Sequence, residues 1–395
     1  MGWPIIGESL RFYHCGLRGA PEKFIQDRMQ KFSPKIFKTS LVAESVAVVC
    51  GPAGNKFVFT NENKLVRLWF PKTVDKIFPS STHVSRHEET RIFRKLLPGF
   101  VNAEALQRYA GIIDSVAKHH LRTHWDNKKE VIVYPLVEKY TFSLACKLFL
   151  SIDNPVQVAK LSDPFAVLAS GVYSLPINLP GTALYKAIKA SNDLQKKIHE
   201  IVRERKVALM KNMSSTPNDI LSHMLLTCNE HKEYFLDDTS ITSKTIGLLL
   251  ASLDTTSSAI TCVIKYLAEH PHIYNEVLRE QKEILNFKNG ESLKWEDIQK
   301  MKYSWNVARE VMRLAPPFQG TFREAISDIT YEGFFIPQGW KVHWNAYTTH
   351  KDARYFPNPE NFDPSRFEGN GPALTHMSHL EEGLECVQAM NMLEW

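Results

Sequence analysis

Residues 241–267 carry apolar side chains on nearly every side of a helix, interrupted chiefly by small polar residues and one acid, Asp254. A helix that is hydrophobic all round has to be buried, so this stretch predicts a central helix with other elements packed around it. The cluster Leu236-Asp-Asp-Thr-Ser-Ile supplies its start signal, and Pro271 lies just past its end. A chain of 395 residues, 44% hydrophobic and 23% charged, has the apolar material to build that surround.

The flanking patterns set the class. Residues 102–126 place Leu106, Tyr109, Ile112, Ile113 and Val116 at three- and four-residue spacing, and residues 134–150 do likewise. Residues 181–211 form a long charged segment with Leu194, Ile198, Ile201 and Val202 on one side, which predicts a solvated helix lying on the body. Helices are expected at 270–286 and 296–314, the second stopped by Pro316-Pro317. Residues 35–50 hold two β-branched runs around a polar break, a hairpin followed by a turn at Gly51-Pro52. Residues 329–344 alternate between Gly and Pro turns and predict short strands, while 355–369 have no period and predict an irregular, ordered loop. The fold class is therefore mainly α with small β-sheets near both ends, in a single domain.

Charge and cysteine usage exclude several functions. A net charge of +5 without a basic block gives nucleic-acid binding no support. The six cysteines (Cys15, Cys50, Cys146, Cys228, Cys262, Cys386) are widely spaced and contain no C-x-x-C pair, so neither a zinc site nor a disulfide framework is expected. No uninterrupted run of about 18 apolar residues is present, so the expectation is a chain that is soluble or has lost an anchor.

Two constellations carry chemistry. Ala251-Ser-Leu-Asp254-Thr255-Thr-Ser-Ser258 places polar side chains in the middle of the buried helix, where they must be satisfied or used. Either the hydroxyls bond back to the carbonyls one turn before, or the acid beside Thr255 lines a groove where a ligand meets a proton-donating chain. Glu310-Val-Met-Arg313 is an i, i+3 pair among Val307, Val311, Met312 and Leu314; buried there, it needs further hydrogen bonds, and Arg366 is the candidate third member.

In order and spacing, the Asp-Thr helix, the E-x-x-R pair and Pro359-Glu-Asn-Phe-Asp-Pro-Ser-Arg-Phe367 resemble the cytochrome P-450 superfamily. Gly2-Trp-Pro-Ile-Ile-Gly-Glu-Ser9, Lys95-Leu-Leu-Pro98, Gly320-Thr-Phe-Arg-Glu-Ala325 and Ile336-Pro-Gln-Gly-Trp340 narrow the likeness to the plant branch that oxidises triterpenoids and taxane-type diterpenoids. The resemblance implies a haem b cofactor, and Glu310, Arg313 and Arg366 as a structural ion network beneath it. It makes Asp254 and Thr255 a relay of protons to iron-bound dioxygen, and turns Arg94 and Arg323 toward the haem propionates. It also implies electrons from an NADPH-dependent flavoprotein reductase, O2 and an apolar isoprenoid as substrates, and placement on the cytoplasmic face of the endoplasmic reticulum. Where the family often has Gly-Gly-His before Asp-Thr, this chain has Ala-Ser-Leu, so helix opening at Ser252 is less favoured.

The family's F-x-x-G-x-x-x-C-x-G pattern, which holds iron through a thiolate, has no match, because Phe367 is the last Phe of the chain. Cys386, in Gly-Leu-Glu-Cys-Val-Gln, does not fit it. Codons permitted for residues 374–395, grouped one base earlier, can spell Pro-Phe-Gly-Gly-Gly-Pro-Arg-Met-Cys-Pro-Gly. The expectation is a P-450-like domain at 1–373, shortened at both ends and without the anchor that attaches relatives to a membrane, followed by an out-of-frame tail at 374–395. No metal ligand is assigned, and the 395 residues alone are expected to be inactive. Two alternatives stay open: a haem-thiolate isomerase or dehydratase, and a non-catalytic relic or lipid-binding protein.

Overall fold

The computed structural model describes residues 7–41, 43–78, 103–172, 174–211, 219–227, 236–286 and 292–369. It groups the described residues into two compact units, one formed by those up to residue 71 and from 309 onward, the other by those between 72 and 308.

The first unit is built on a sheet. Strands β1 (Ile36–Leu41) and β2 (Glu44–Val49) form the expected hairpin, pairing Leu41 with Glu44 across a two-residue connection. Residues 51 and 52, expected as a turn, instead open helix α3 (Gly51–Thr60). Pro52 fits the first turn of a helix because its missing N–H has no partner there anyway. Strands β3 (Val66–Leu68), β4 (Phe322–Ala325) and β7 (Lys341–His343) complete a five-stranded sheet in the order β1-β2-β7-β4-β3, with β2 and β7 parallel. Strands β5 (Ile329–Tyr331) and β6 (Phe334–Ile336) make a separate hairpin. Both faces of the main sheet are covered, so its strands alternate between two cores. Ile36, Ala47, Val49 and Val342 join Val58 and Trp344 on one side. Phe37, Val46 and Val48 meet Phe24 and Ile25 of helix α2 (Glu22–Lys31) on the other. Helix α1 (Ser9–Leu17) precedes α2, α4 (Lys72–Ile77) begins the second unit, and residues 364–367 make a single 3₁₀ turn.

The second unit is helical: α5 (Ala103–His124), α6 (Val133–Leu150), α7 (Pro155–Val172), α8 (Ala183–Lys211), α9 (Ile220–Leu226), α10 (Asp238–Glu269), α11 (Pro271–Asn286), α12 (Trp295–Lys300) and α13 (Lys302–Leu314), whose last turns belong to the first unit. The predicted helix at 296–314 is thus two helices broken at Met301. Tyr303 and Ser304 donate their backbone N–H groups to Glu280 of α11, which caps the new start. α10 is the predicted central helix, and Asp237 caps it by accepting from the N–H of Ser240 at 2.6 Å. Its residues are largely buried as far as Ser257 and half-exposed beyond. By length and composition α10 is apolar enough to cross a membrane, and half of its most apolar window is buried within the protein. α8 buries Leu184, Leu194, Ile198 and Val202 against α7 and α10. α7 and α8 approach closely at Gly171, where an added Cβ would stand 2.0 Å from that of Ala187. Helix α14 (Tyr347–His350) closes the described helices, in the first unit.

One buried carboxylate ties the second unit together. Asp219 accepts from Arg205 and Ser151 at 2.5 Å each and caps α9 through the N–H of Ser222. Arg205 also reaches the Ser222 hydroxyl and the Leu150 carbonyl, both at 2.6 Å. Removing one member leaves the other charge buried, so Asp219→Ala should lower stability by about 3–5 kcal/mol, read as a fall in the urea midpoint.

Candidate functional site

The candidate residues fall into two groups, one in each unit, and Arg94 lies outside the described residues. In the second unit, α10 runs through the polar stretch as unbroken α-helix, with no opening at Ser252. The hydroxyls mostly satisfy themselves: Thr255 donates to the Ala251 carbonyl at 2.8 Å and Ser252 to that of Leu249 at 3.1 Å. Ser257, fully buried, bonds Thr141 of α6 at 2.7 Å. Asp254 is different. It is half-buried, forms no ion pair with the described residues, and burial holds its carboxyl above the ordinary aspartate range. Glu138 of α6 is raised in the same direction, first by burial and then by the charge of Asp254. Glu138 and Thr141 were not legible in the sequence, since only the packing of α6 on α10 brings them there.

A haem-thiolate iron needs an ionised sulfur. Burial pushes the thiols of Cys50 and Cys146 up to about 12, and it raises that of Cys262. Cys15 is half-buried near Phe24, and Cys228 and Cys386 lie outside the described residues. Burial thus disfavours the thiolate at Cys50, Cys146 and Cys262, and none of the three is assigned as an axial haem ligand.

In the first unit, Arg323 lies on β4 and is only 2% exposed. Its Nε pairs with Glu62, and a terminal nitrogen donates to the Thr321 hydroxyl at 2.6 Å. The same hydroxyl accepts from the Trp344 indole at 2.7 Å. Gly320 makes this approach possible, since an added Cβ would stand 2.1 Å from the Trp344 carbonyl. A carboxylate therefore already occupies one edge of the guanidinium. Glu62 lies 261 residues from Arg323 in sequence and carried no signal.

Glu310, Arg313 and Arg366 are brought together. Glu310 and Arg313, both 0% exposed, form a bidentate pair at 2.7 and 2.8 Å. Arg313 spends its remaining N–H groups on the carbonyls of His350 and Pro359 at 2.8 Å and of Asn361 at 3.2 Å. Glu310 also accepts from Arg366 at 3.2 Å and from the N–H of Asp363 at 3.0 Å, while Arg366 reaches the carbonyls of Pro357 and Asn358. All five donors of Arg313 are used, the condition under which a buried charge is tolerated. Arg313→Met should therefore cost about 3–5 kcal/mol in chemical denaturation. Arg313→Lys should rescue little of it, because a point charge cannot serve a carboxylate and three carbonyls in a planar fork.

Known proteins match this chain over most of its length. The family model described as Cytochrome P450 matches residues 1–380. A β-amyrin 28-monooxygenase of Solanum lycopersicum is 57% identical over 373 residues, covering 94% of this chain and 78% of the relative. Another, of Vitis vinifera, is 56% identical over 374 residues with the same coverage. Cytochrome P450 716A2 of Arabidopsis thaliana is 54% identical over 373 residues, again covering 94% and 78%. The solved structure of retinoic acid bound cyanobacterial CYP120A1 superposes with a TM-score of 0.82 at 29% identity, covering 100% of this chain and 89% of that one. Membership implies haem as cofactor, dioxygen as oxidant and a redox partner as electron source. With a mainly helical fold, small sheets and the buried Glu310–Arg313–Arg366 cluster in place, the chain belongs to the cytochrome P450 family, a family of haem-dependent monooxygenases.

Proposed function

We propose that this chain is the body of a monooxygenase that hydroxylates a bulky apolar triterpenoid of the β-amyrin type, at the carbon named in its relatives, position 28. Electrons would come from an NADPH-dependent flavoprotein reductase at the cytoplasmic face of the endoplasmic reticulum. The observation that carries the reading is the 57% identity over 373 residues to a β-amyrin 28-monooxygenase, which spans both candidate groups. Haem, when bound, supplies the oxygen chemistry. What this chain contributes is a helical body, a carboxyl at Asp254 whose burial keeps its proton to higher pH, and a hydroxyl beside it. Thr255 at present donates to Ala251 and so can accept a proton; to pass one on, it exchanges that bond for an outward one. In the first unit, Arg323 would offer charge to a haem propionate and the Glu310 cluster would hold the loop.

That the 395 residues contain no match to F-x-x-G-x-x-x-C-x-G favours a second reading for them alone, a protein that binds an apolar ligand without turnover. One experiment separates the two. The chain is produced alone, and also with an F-x-x-G-x-x-x-C-x-G loop appended, in cells that contain a reductase and accumulate β-amyrin. The completed chain should show the carbon-monoxide band of thiolate-ligated haem and yield β-amyrin oxidised at carbon 28, and the unmodified chain neither. An intact band without oxidised β-amyrin would remove the substrate assignment.

The relay has its own test. In the completed enzyme, Thr255→Ala should lower product formed per NADPH consumed by about tenfold, and Thr255→Ser should retain most of it. An unchanged ratio in the alanine variant would rule the relay out.

A further inference from the structure

Helix α5 ends on a histidine pair that the foregoing chemistry does not use. His120 and His124 are four residues apart, and so on one face of the helix. Their ring centres lie 4.8 Å apart, with the planes inclined at 57°. His120 is buried and its Nε2 has no hydrogen-bond partner among the described residues, whereas His124 is half-buried and reachable from solvent. The Tyr140 ring of α6 stands 5.6 Å from that of His120 and packs against it. A buried ring nitrogen without a partner is costly, and it marks a position that a bound atom would complete.

The ring spacing fits one such atom, a metal ion. Two imidazoles bonded to one ion at about 2.0–2.1 Å, at angles from square to tetrahedral, hold their ring centres roughly 4.5–5.2 Å apart. The observed separation falls within that window. Histidines at i and i+4 are also the helical half of known zinc sites. Burial, then the positive charge around them, holds both imidazoles below the ordinary histidine range, so protons do not compete for the lone pairs at neutral pH. The charges that do this, Lys139 of α6 with His119 and Lys128, also repel a cation and limit its affinity. Among the described residues no third His, Cys, Asp or Glu completes a cluster, so water has to fill the remaining positions.

We propose that His120 and His124 form a two-imidazole site for a borderline first-row divalent ion, Zn²⁺ or Cu²⁺, with an open, water-filled outer side. The site uses neither Asp254 nor Thr255 and needs no haem.

The test uses the full 395-residue chain without an affinity tag. Zn²⁺ binding is measured by calorimetry, and Cu²⁺ binding by the nitrogen couplings in its electron paramagnetic resonance spectrum. The parent should bind one ion of Zn²⁺ about tenfold or more tightly than His124→Gln, a half-exposed change that leaves the core alone. His120→Gln should lose the same binding, His124→Cys should restore it for Zn²⁺, and His272→Gln, on α11, should bind like the parent. The Cu²⁺ spectrum should show two nitrogens in the parent and fewer in His124→Gln. A smaller loss in His124→Gln, or an equal loss in His272→Gln, would overturn the site. So would a copper spectrum that the His124 change leaves unaltered.

Discussion

The carboxylate of Glu310 is the charge on which the first unit depends. Residues 355–369 are rich in Pro and Asn, follow no helical or strand period, and cannot satisfy their own carbonyls in a ladder. Arg313 and Arg366 do so instead, reaching the carbonyls of His350, Pro357, Asn358, Pro359 and Asn361. Two guanidiniums so deeply placed would repel each other and strand their charge unless a carboxylate lay between them, and Glu310 bonds both. The order of an irregular loop thus comes from an i, i+3 pair on a helix. The Phe356 ring, 5.1 Å from the Arg313 guanidinium, covers the remaining approach.

The second unit solves a related problem with neutral groups. Burying Thr255 and Ser257 in α10 costs little because each hydroxyl has a nearby partner, one on its own helix and one on α6. Asp254 sits where α10 passes from buried to half-exposed, and no described basic side chain is placed to hold its charge. An acid kept without a counter-ion beside self-satisfied hydroxyls has a raised affinity for a proton, which is the property a relay needs.

How much of this was legible follows from the range of each interaction. The periodic stretches gave α5, α6, α8 and α10, because a helix buries its face at fixed spacing whatever it packs against. The pairing of Glu310 with Arg313 was legible because both partners lie within one turn. Arg366 was legible because the stretch 359–367 resembles a family motif in which an arginine holds that place. Features set by distant chain were not. Glu62 reaches Arg323, and β3 pairs β4, across about 260 residues with no local mark. The break at Met301 depends on Glu280 of α11, and the helix at Gly51 was hidden because Gly-Pro also opens a turn.

These differences separate two kinds of evidence that the motifs supply. Glu310, Arg313 and Arg366 spend their polar atoms on one another and on the backbone, so they mark a fold before they mark an activity. At 29% identity most side chains differ between this chain and the cyanobacterial structure, yet the paths superpose at a TM-score of 0.82. A fold that persists through so many exchanges has to rest on helix patterning and a few buried polar clusters rather than on particular core contacts. Activity answers to other residues. Under the proposed function it would draw on a proton held at Asp254, a hydroxyl turning at Thr255, and a thiolate, the form that burial disfavours at Cys50 and Cys146. The fold and the proposed chemistry are therefore carried by different side chains.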